Sequence, residues 1–250
     1  MIKLSVNVNK IATLRNSRGG SIPSVLQAVE VCLAAGAPGI TVHPRADERH
    51  IRHNDVVEIA RLIAERPGPG RPPAEFNIEG DPREAFLDLV LQARPDQCTL
   101  VPVIPGEVTS QAGWPTDGRS AFLRQVILKL RGAGVRVSLF IDPDRSAVQW
   151  AADIGADRVE LYTEPFATAF VAGEDEGRES FSRYSAAALE AHARGLGVNA
   201  GHDLDLDNLR LFRTLPHLDE VSIGHALISH ALWVGLDRSV RDYLDVLRES

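Results

Sequence analysis

Residues 131–141 read RGAGVRVSLFI: a helical pattern closes on two glycines and turns at once into alternating β-formers. Glycine just past a helix end accepts the left-handed backbone conformation that stops the helix, so the stretch is a helix-to-strand loop. The same punctuation recurs in AAGAPGITVH (34–43), ADIGADRVELY (152–162) and ARGLGVNAG (193–201). Adding the remaining apolar runs predicts eight strands, near Lys3–Val8, Gly39–His43, Glu75–Ile78, Gln97–Val101, Arg136–Ile141, Arg158–Tyr162, Gly197–Ala200 and Glu220–Ile223. Helical patterns lie between them, for example at 25–35, 56–65, 84–93, 121–133, 146–154, 186–194 and 206–213. Strands alternating with amphipathic helices build parallel βαβ units. Eight units in 250 residues favour a closed α/β (β/α)8 TIM barrel, one domain over residues 1–250, rather than an open doubly wound sheet. No dinucleotide fingerprint follows the first strand, which weakens the open sheet further. GPGRPP (68–73) reads as a surface loop, whereas 102–118 and 163–179 read as long irregular stretches at the catalytic face.

Composition excludes several functions. Hydrophobic residues make up 44% and charged residues 24%, the balance of a soluble globular protein. A net charge of -7 argues against a general nucleic-acid partner, so any anion site must be local. Cys32 and Cys98 stand far apart among apolar neighbours and read as two buried thiols. Met1 leads straight into the first strand and no apolar run reaches the roughly 20 residues that span a bilayer, so the expectation is a cytoplasmic protein without a membrane partner.

In a barrel of this kind the site is built at the C-terminal strand ends. The polar residues fall there: Asn7, Asn9 and Lys10 after strand one, His43, Arg45 and His50 after strand two, Asn77 and Glu79 on strand three. Strand six supplies Glu160, strand seven Asn199 and His202, strand eight Gly224 and His225. Glu79, entering from FNIEG, is expected in a desolvated mouth where its pKa rises towards that of a general base; the competing reading is an ion-pair partner of Arg18 or Arg45. His43 and His202 are candidates for proton transfer near neutral pH. A metal is not expected, because the His-Glu-x-x-His signature is missing and no two histidines share a ligand spacing on one helix. In VNAGHDLDLDN and VSIGHALISHAL a strand breaks at Gly-His and a helix is expected to begin, offering backbone N–H groups to an anion. Arg45 and His50 mark a second anion pocket, while Arg15 reads as an ordinary surface charge.

The segments IATLRNSRGG, GITVHPRADERHI, FNIEG, VNAGHDL and IGHALI together resemble the ordered motifs of the pyridoxine 5'-phosphate synthase family, over nearly the whole chain. The resemblance implies a (β/α)8 barrel with extra helices, a homo-oligomer that is an octamer built from dimers, and no cofactor. It implies two phosphorylated substrates, 1-deoxy-D-xylulose 5-phosphate and 3-amino-2-oxopropyl phosphate, condensed to pyridoxine 5'-phosphate, phosphate and water. Carried over by position, His43 and Glu79 match the proton acceptors and His202 the proton donor. Asn7, Arg18, Asp203, Gly224 and His225 match the amino-ketone phosphate side, with a glycine usual where Asp203 stands. Asn9, Lys10, Arg45, His50 and Thr109 match the deoxyxylulose phosphate side, and Glu160 a polar residue on the barrel's water path. The loop after strand four, VPVIPGEVTSQAGW, is expected to close over the mouth; its Pro-Val-Ile-Pro replaces a charged Glu-Lys-Arg.

The sharper departure is Asn9-Lys10 where the commoner pattern has Asp-His. Either Lys10 only binds substrate oxygens, or it is desolvated and attacks the ketone as a nucleophile; the first is favoured because His43, Glu79 and His202 are all present. Two other functions stay open: a phosphate-ligand-binding barrel without turnover, and an aldolase or isomerase acting on another sugar phosphate.

Overall fold

The computed structural model describes residues 1–66, 73–103, 112–116 and 118–249. Eight parallel strands close a barrel in the order β1 to β8. They are β1 Lys3–Asn7, β2 Gly39–Val42, β3 Glu75–Gly80, β4 Gln97–Leu100, β5 Arg136–Ile141, β6 Arg158–Tyr162, β7 Gly197–Gly201 and β8 Leu218–Ile223. Each lies within a residue or two of its expected position, because the helix-ending glycines are where the chain turns: Gly134, Gly155 and Gly195 all have positive φ. The ring closes through β1 and β8, with Ser5 opposite Ser222.

Period-two alternation divides the strands into two environments. Outward residues such as Leu4, Val6, Ile40, Val42, Ile78, Leu139, Val159, Leu161, Val198 and Val221 are fully buried against the helices and form the main hydrophobic core. Inward residues are mostly polar, with Phe140 among the exceptions near the mouth. Ser5 Oγ lies 2.6 Å from Thr41 Oγ1, Asn77 Nδ2 donates to Thr41 Oγ1 at 3.3 Å, and Thr99 Oγ1 donates to Asn77 Oδ1 at 3.1 Å. Asn199 Nδ2 donates to Glu220 Oε1 and to Gln97 Oε1, each at 3.4 Å. At the N-terminal end of the barrel Arg136 pairs with Glu75 at 3.0 Å. Buried polar groups persist only when hydrogen-bonded, and most of this interior meets that condition by bonding between strands; Gln97 Nε2 and Ser138 Oγ are buried without a partner among the described residues.

The helices are α1 Asn9–Asn16, α2 Val25–Ala34, α3 His53–Glu65, α4 Glu84–Ala93, α5 Ser120–Gly132, α6 Arg145–Asp153, α7 Glu164–Ala172, α8 Glu174–Ala193, α9 Leu209–Phe212, α10 His225–Val234 and α11 Leu236–Arg248. Three expectations are corrected. Residues 163–179 are not irregular: they form α7 and the start of α8, joined at Gly173, and Phe166 anchors the pair by packing on Phe170, Phe181 and Tyr184. Gly201-His202 does not begin a helix, since His202 and Asp203 turn through φ 86° and 58° and α9 starts only at Leu209. Arg15 is not a surface charge; it is buried at 5% exposure and paired with Asp55. Both cysteines are free and buried, and desolvation pushes the Cys32 thiol up to about 12. Among the described residues no helix is long and apolar enough to cross a membrane.

Candidate active site

A cavity of about 310 Å³ opens at the C-terminal ends of the strands, within the size range of small-ligand pockets. Of the fourteen residues that the family resemblance assigns to the site, twelve line it: Asn7, Asn9 and Lys10 from the end of β1; His43, Arg45 and His50 after β2; Glu79 on β3; Glu160 on β6; His202 and Asp203 after β7; and Gly224 and His225 after β8; Asn77 and Asn199, also expected at the mouth, do not line it. Arg18 is exposed and does not line the cavity, because α1 ends at Asn16 and the chain turns away at Gly19, whose φ is 68°. Thr109 and most of the segment expected to close the mouth lie outside the described residues.

The strand ends are tied to one another by short contacts. Asn7 Oδ1 accepts the Asn9 N–H at 3.0 Å, and Asn9 Oδ1 accepts the backbone N–H of His43 at 2.9 Å. An amide in this place therefore holds the backbone of the strand that carries His43. Asn7 Nδ2 reaches Glu79 Oε2 at 3.5 Å, and His43 Nδ1 stands 4.0 Å from the same oxygen. Across the mouth, the His202 ring packs against Phe140 and Tyr162, each centroid 5.3 Å away. The Thr163 hydroxyl donates to the Gly201 carbonyl at 2.6 Å and also contacts the His202 carbonyl, which fixes the turn. Asp203 takes up a left-handed φ of 58°, tolerated by aspartate and free of strain for the glycine usual there.

Burial sets the protonation states. Glu79 is raised well above the usual carboxyl range by desolvation, then by the nearby carboxylates Glu160 and Glu220. Glu160 rises to about 8 and Glu220 to about 7, burial again being the main cause. Glu79 is thus a protonated acid at pH values where a free carboxyl is ionised, and not the buried ion-pair partner of Arg18 or Arg45. His43 falls to about 3, chiefly through burial and then through its neighbours His50 and Arg45; His50 falls to about 4 through burial and Arg45. His202 is lowered too, chiefly by burial. The three imidazoles are neutral at neutral pH. The Ile51 N–H donates to His50 Nδ1 at 2.9 Å, so the neutral ring carries its proton on Nε2.

Two places suit anions. Gly224 caps α10, a ten-residue helix with no acidic residue in its first turn, where backbone N–H groups lack intrahelical partners. Next to it, after β1 and β2, Lys10 and Arg45 bring fixed positive charge beside His50. Lys10 is exposed, so the desolvation that a nucleophilic lysine requires is not provided. Among the described residues no three His, Cys, Asp or Glu side chains gather as a metal site. Val101, Phe140 and Ser222 also line the cavity and were not singled out from the sequence. All three had the same period-two signal, Ser222 standing two residues beyond inward Glu220, Phe140 two beyond Ser138 and Val101 two beyond Thr99.

A protonated carboxylic acid, three neutral imidazoles and two anion sites in one cavity can bind two anionic reactants and pass protons between them. The family model described as pyridoxal phosphate biosynthesis protein PdxJ matches residues 4–249. A pyridoxine 5'-phosphate synthase of Leptospira biflexa is 53% identical over 253 residues, covering 99% of this chain and 97% of its own length. One from Bacteroides fragilis is 50% identical over 249 residues, covering 99% of this chain and 100% of its own. Among solved structures, phosphoribosylanthranilate isomerase monomers from Thermotoga maritima superpose with a TM-score of 0.59 at 10% identity over 99% of both chains, a likeness of fold alone. With its motifs gathered at one barrel mouth and its whole length matched, the chain belongs to the PdxJ family of pyridoxal phosphate biosynthesis proteins.

Proposed function

We propose that this protein condenses 1-deoxy-D-xylulose 5-phosphate with 3-amino-2-oxopropyl phosphate to give pyridoxine 5'-phosphate, inorganic phosphate and water. The observation that carries the reading is the convergence of twelve family-matched residues on one cavity that has two places suited to anions. The α10 N-terminus with Asn7, Asp203 and His225 takes the amino-ketone phosphate. Lys10, Arg45 and His50 take the deoxyxylulose phosphate, His50 donating from Nε2.

Holding both substrates by their phosphates aligns amine and ketone, an orientation that contributes up to roughly 7 to 11 kcal/mol when reactants are well placed. The amine adds to the ketone, and the resulting carbinolamine must lose water to give a Schiff base. Protonated Glu79 delivers the proton that departs with that water. The carboxylate left behind accepts the next proton released from carbon, with neutral His43 at 4.0 Å relaying it. The nucleophilic carbon so formed adds to the remaining carbonyl to close the ring, and His202, on the far side of the cavity, serves the dehydration that then makes the ring aromatic. Loss of phosphate from the deoxyxylulose moiety and formation of the aromatic ring draw the sequence forward.

Glu79→Gln keeps the side chain's shape but cannot ionise. Turnover is expected to fall about 10²- to 10⁴-fold, while inorganic phosphate binding measured by calorimetry is retained. Full activity in this variant would refute the role. We also propose that the chain works as a homo-oligomer, an octamer built from dimers being the arrangement the family resemblance implies. What supports association is α10, whose Leu232 and Trp233 are 71% and 87% exposed.

A further inference from the structure

Helix α1 reaches the β2–α3 segment at both of its ends. At the first turn Asn9 holds the His43 N–H. At the last turn Arg15 and Asn16 converge on a single backbone group, the carbonyl of His50: Arg15 Nη2 donates to it at 3.0 Å and Asn16 Nδ2 at 2.8 Å. Asn16 Nδ2 also donates to the Glu48 carbonyl at 3.1 Å, and its Oδ1 accepts from Arg15 Nε at 3.0 Å. The Arg15 guanidinium is closed off by a bidentate pair with Asp55, at 2.5 and 2.9 Å. Asp55 Oδ2 in turn accepts the Arg52 N–H at 2.7 Å, binding the pair to the start of α3.

None of the three side chains lines the cavity. A buried ion pair is a poor source of stability, because desolvating both charges offsets most of their attraction. What this one supplies is direction. Arg15 Nη2 and Asn16 Nδ2 reach carbonyls of the segment that ends in His50, while Arg15 Nε holds the Asn16 amide in place; the His50 ring is then locked by the Ile51 N–H on Nδ1. We propose that Arg15, Asn16 and Asp55 form a positioning clamp that sets the backbone of His50 and so aims its Nε2–H into the cavity. The clamp acts on the substrate side assigned to His50, and in that respect it rests on the proposed function.

Two variants test it. Asn16→Ala removes one arm from a half-buried position. The double variant Arg15→Met with Asp55→Leu removes the pair as a unit, a replacement that buried ion pairs commonly tolerate without unfolding. Each is expected to raise KM for deoxyxylulose phosphate about tenfold or more, the scale of a small misplacement of a binding group, with KM for the amino-ketone phosphate unchanged. Nitrogen-15 NMR of the imidazole is expected to show His50 as the pure Nε2–H tautomer in the parent protein and as a tautomer mixture in both variants. Equal rises in both KM values, or an unaltered His50 tautomer in a folded variant, would overturn the clamp. The NMR comparison needs no turnover, so it decides the clamp even if the parent protein fails to condense the two substrates.

Discussion

Single residues at this site take their properties from surroundings that differ in how far they are visible along the chain. Glu79 follows from FNIEG alone, because a glutamate at the inner end of a barrel strand must be desolvated. Arg15 does not: its partner Asp55 is forty residues away, and a charged residue on a short helix reads as solvated until the two meet. Asn9 lay between these cases. Its place at the mouth was legible, but its bond to the His43 N–H was not, since that depends on the β1–β2 register pairing Asn7 with Thr41. An amide and a carboxylate both offer this acceptor. Asn9→Asp is accordingly expected to fold and keep the two KM values within about threefold of the parent, whereas Asn9→Leu, which leaves the amide unpaired, is expected to lose at least about tenfold in kcat/KM. Steady-state kinetics on the two variants checks this, and equal behaviour would remove Asn9 from the positioning of His43.

Elements were legible where one local signal decides them and obscure where two compete. The starts of β2, β5, β6 and β7 could be read because glycine ends the preceding helix within a few residues of each, and the other strands from their apolar runs. The stretch 163–179 was misread because the polar run at Gly173–Glu179 hides a helix boundary, with acidic residues Glu174, Asp175 and Glu176 forming the first turn of α8. Such residues favour a helix N-terminus, so the charge marked a start rather than a loop. The Gly-His pair misled in the opposite direction, since α10 begins at its histidine and α9 does not. At Gly224 the helix start is pressed against β1: a Cβ there would come within 3.1–3.2 Å of Asn7 Cβ, Cγ and O. Gly224→Ala is expected to push α10 away from Asn7 and raise KM for the amino-ketone phosphate several-fold, with the deoxyxylulose phosphate KM unchanged. A variant whose two KM values move together would place the anion site elsewhere.

The whole molecule combines an apolar shell outside the strands with a hydrogen-bonded polar column inside them. This was written in the alternation of KLSVN, RVSLFI and RVELY, although barrels of this class usually fill the interior with branched apolar side chains. The column has a consequence for stability. Glu160 keeps its proton up to about pH 8 when folded, against about 4.3 for a free glutamate. Its contribution is therefore fully present below about pH 4.3 and is lost as pH rises through about 8. Glu160→Gln mimics the protonated form at every pH. Relative to the parent, denaturant unfolding is expected to show the variant gaining more than about 1.4 kcal/mol between pH 5 and pH 9; a pH-independent difference would mean that Glu160 is ionised in the fold.

The central claim concerns two substrates in one cavity, and it is tested most directly by supplying them together and singly. With both present, the purified protein is expected to form pyridoxine 5'-phosphate, seen by its ultraviolet absorbance and mass, with one inorganic phosphate released per product molecule. With either substrate alone neither signal is expected. Phosphate release or isomerisation from a single substrate, or binding of both without product, would contradict the account.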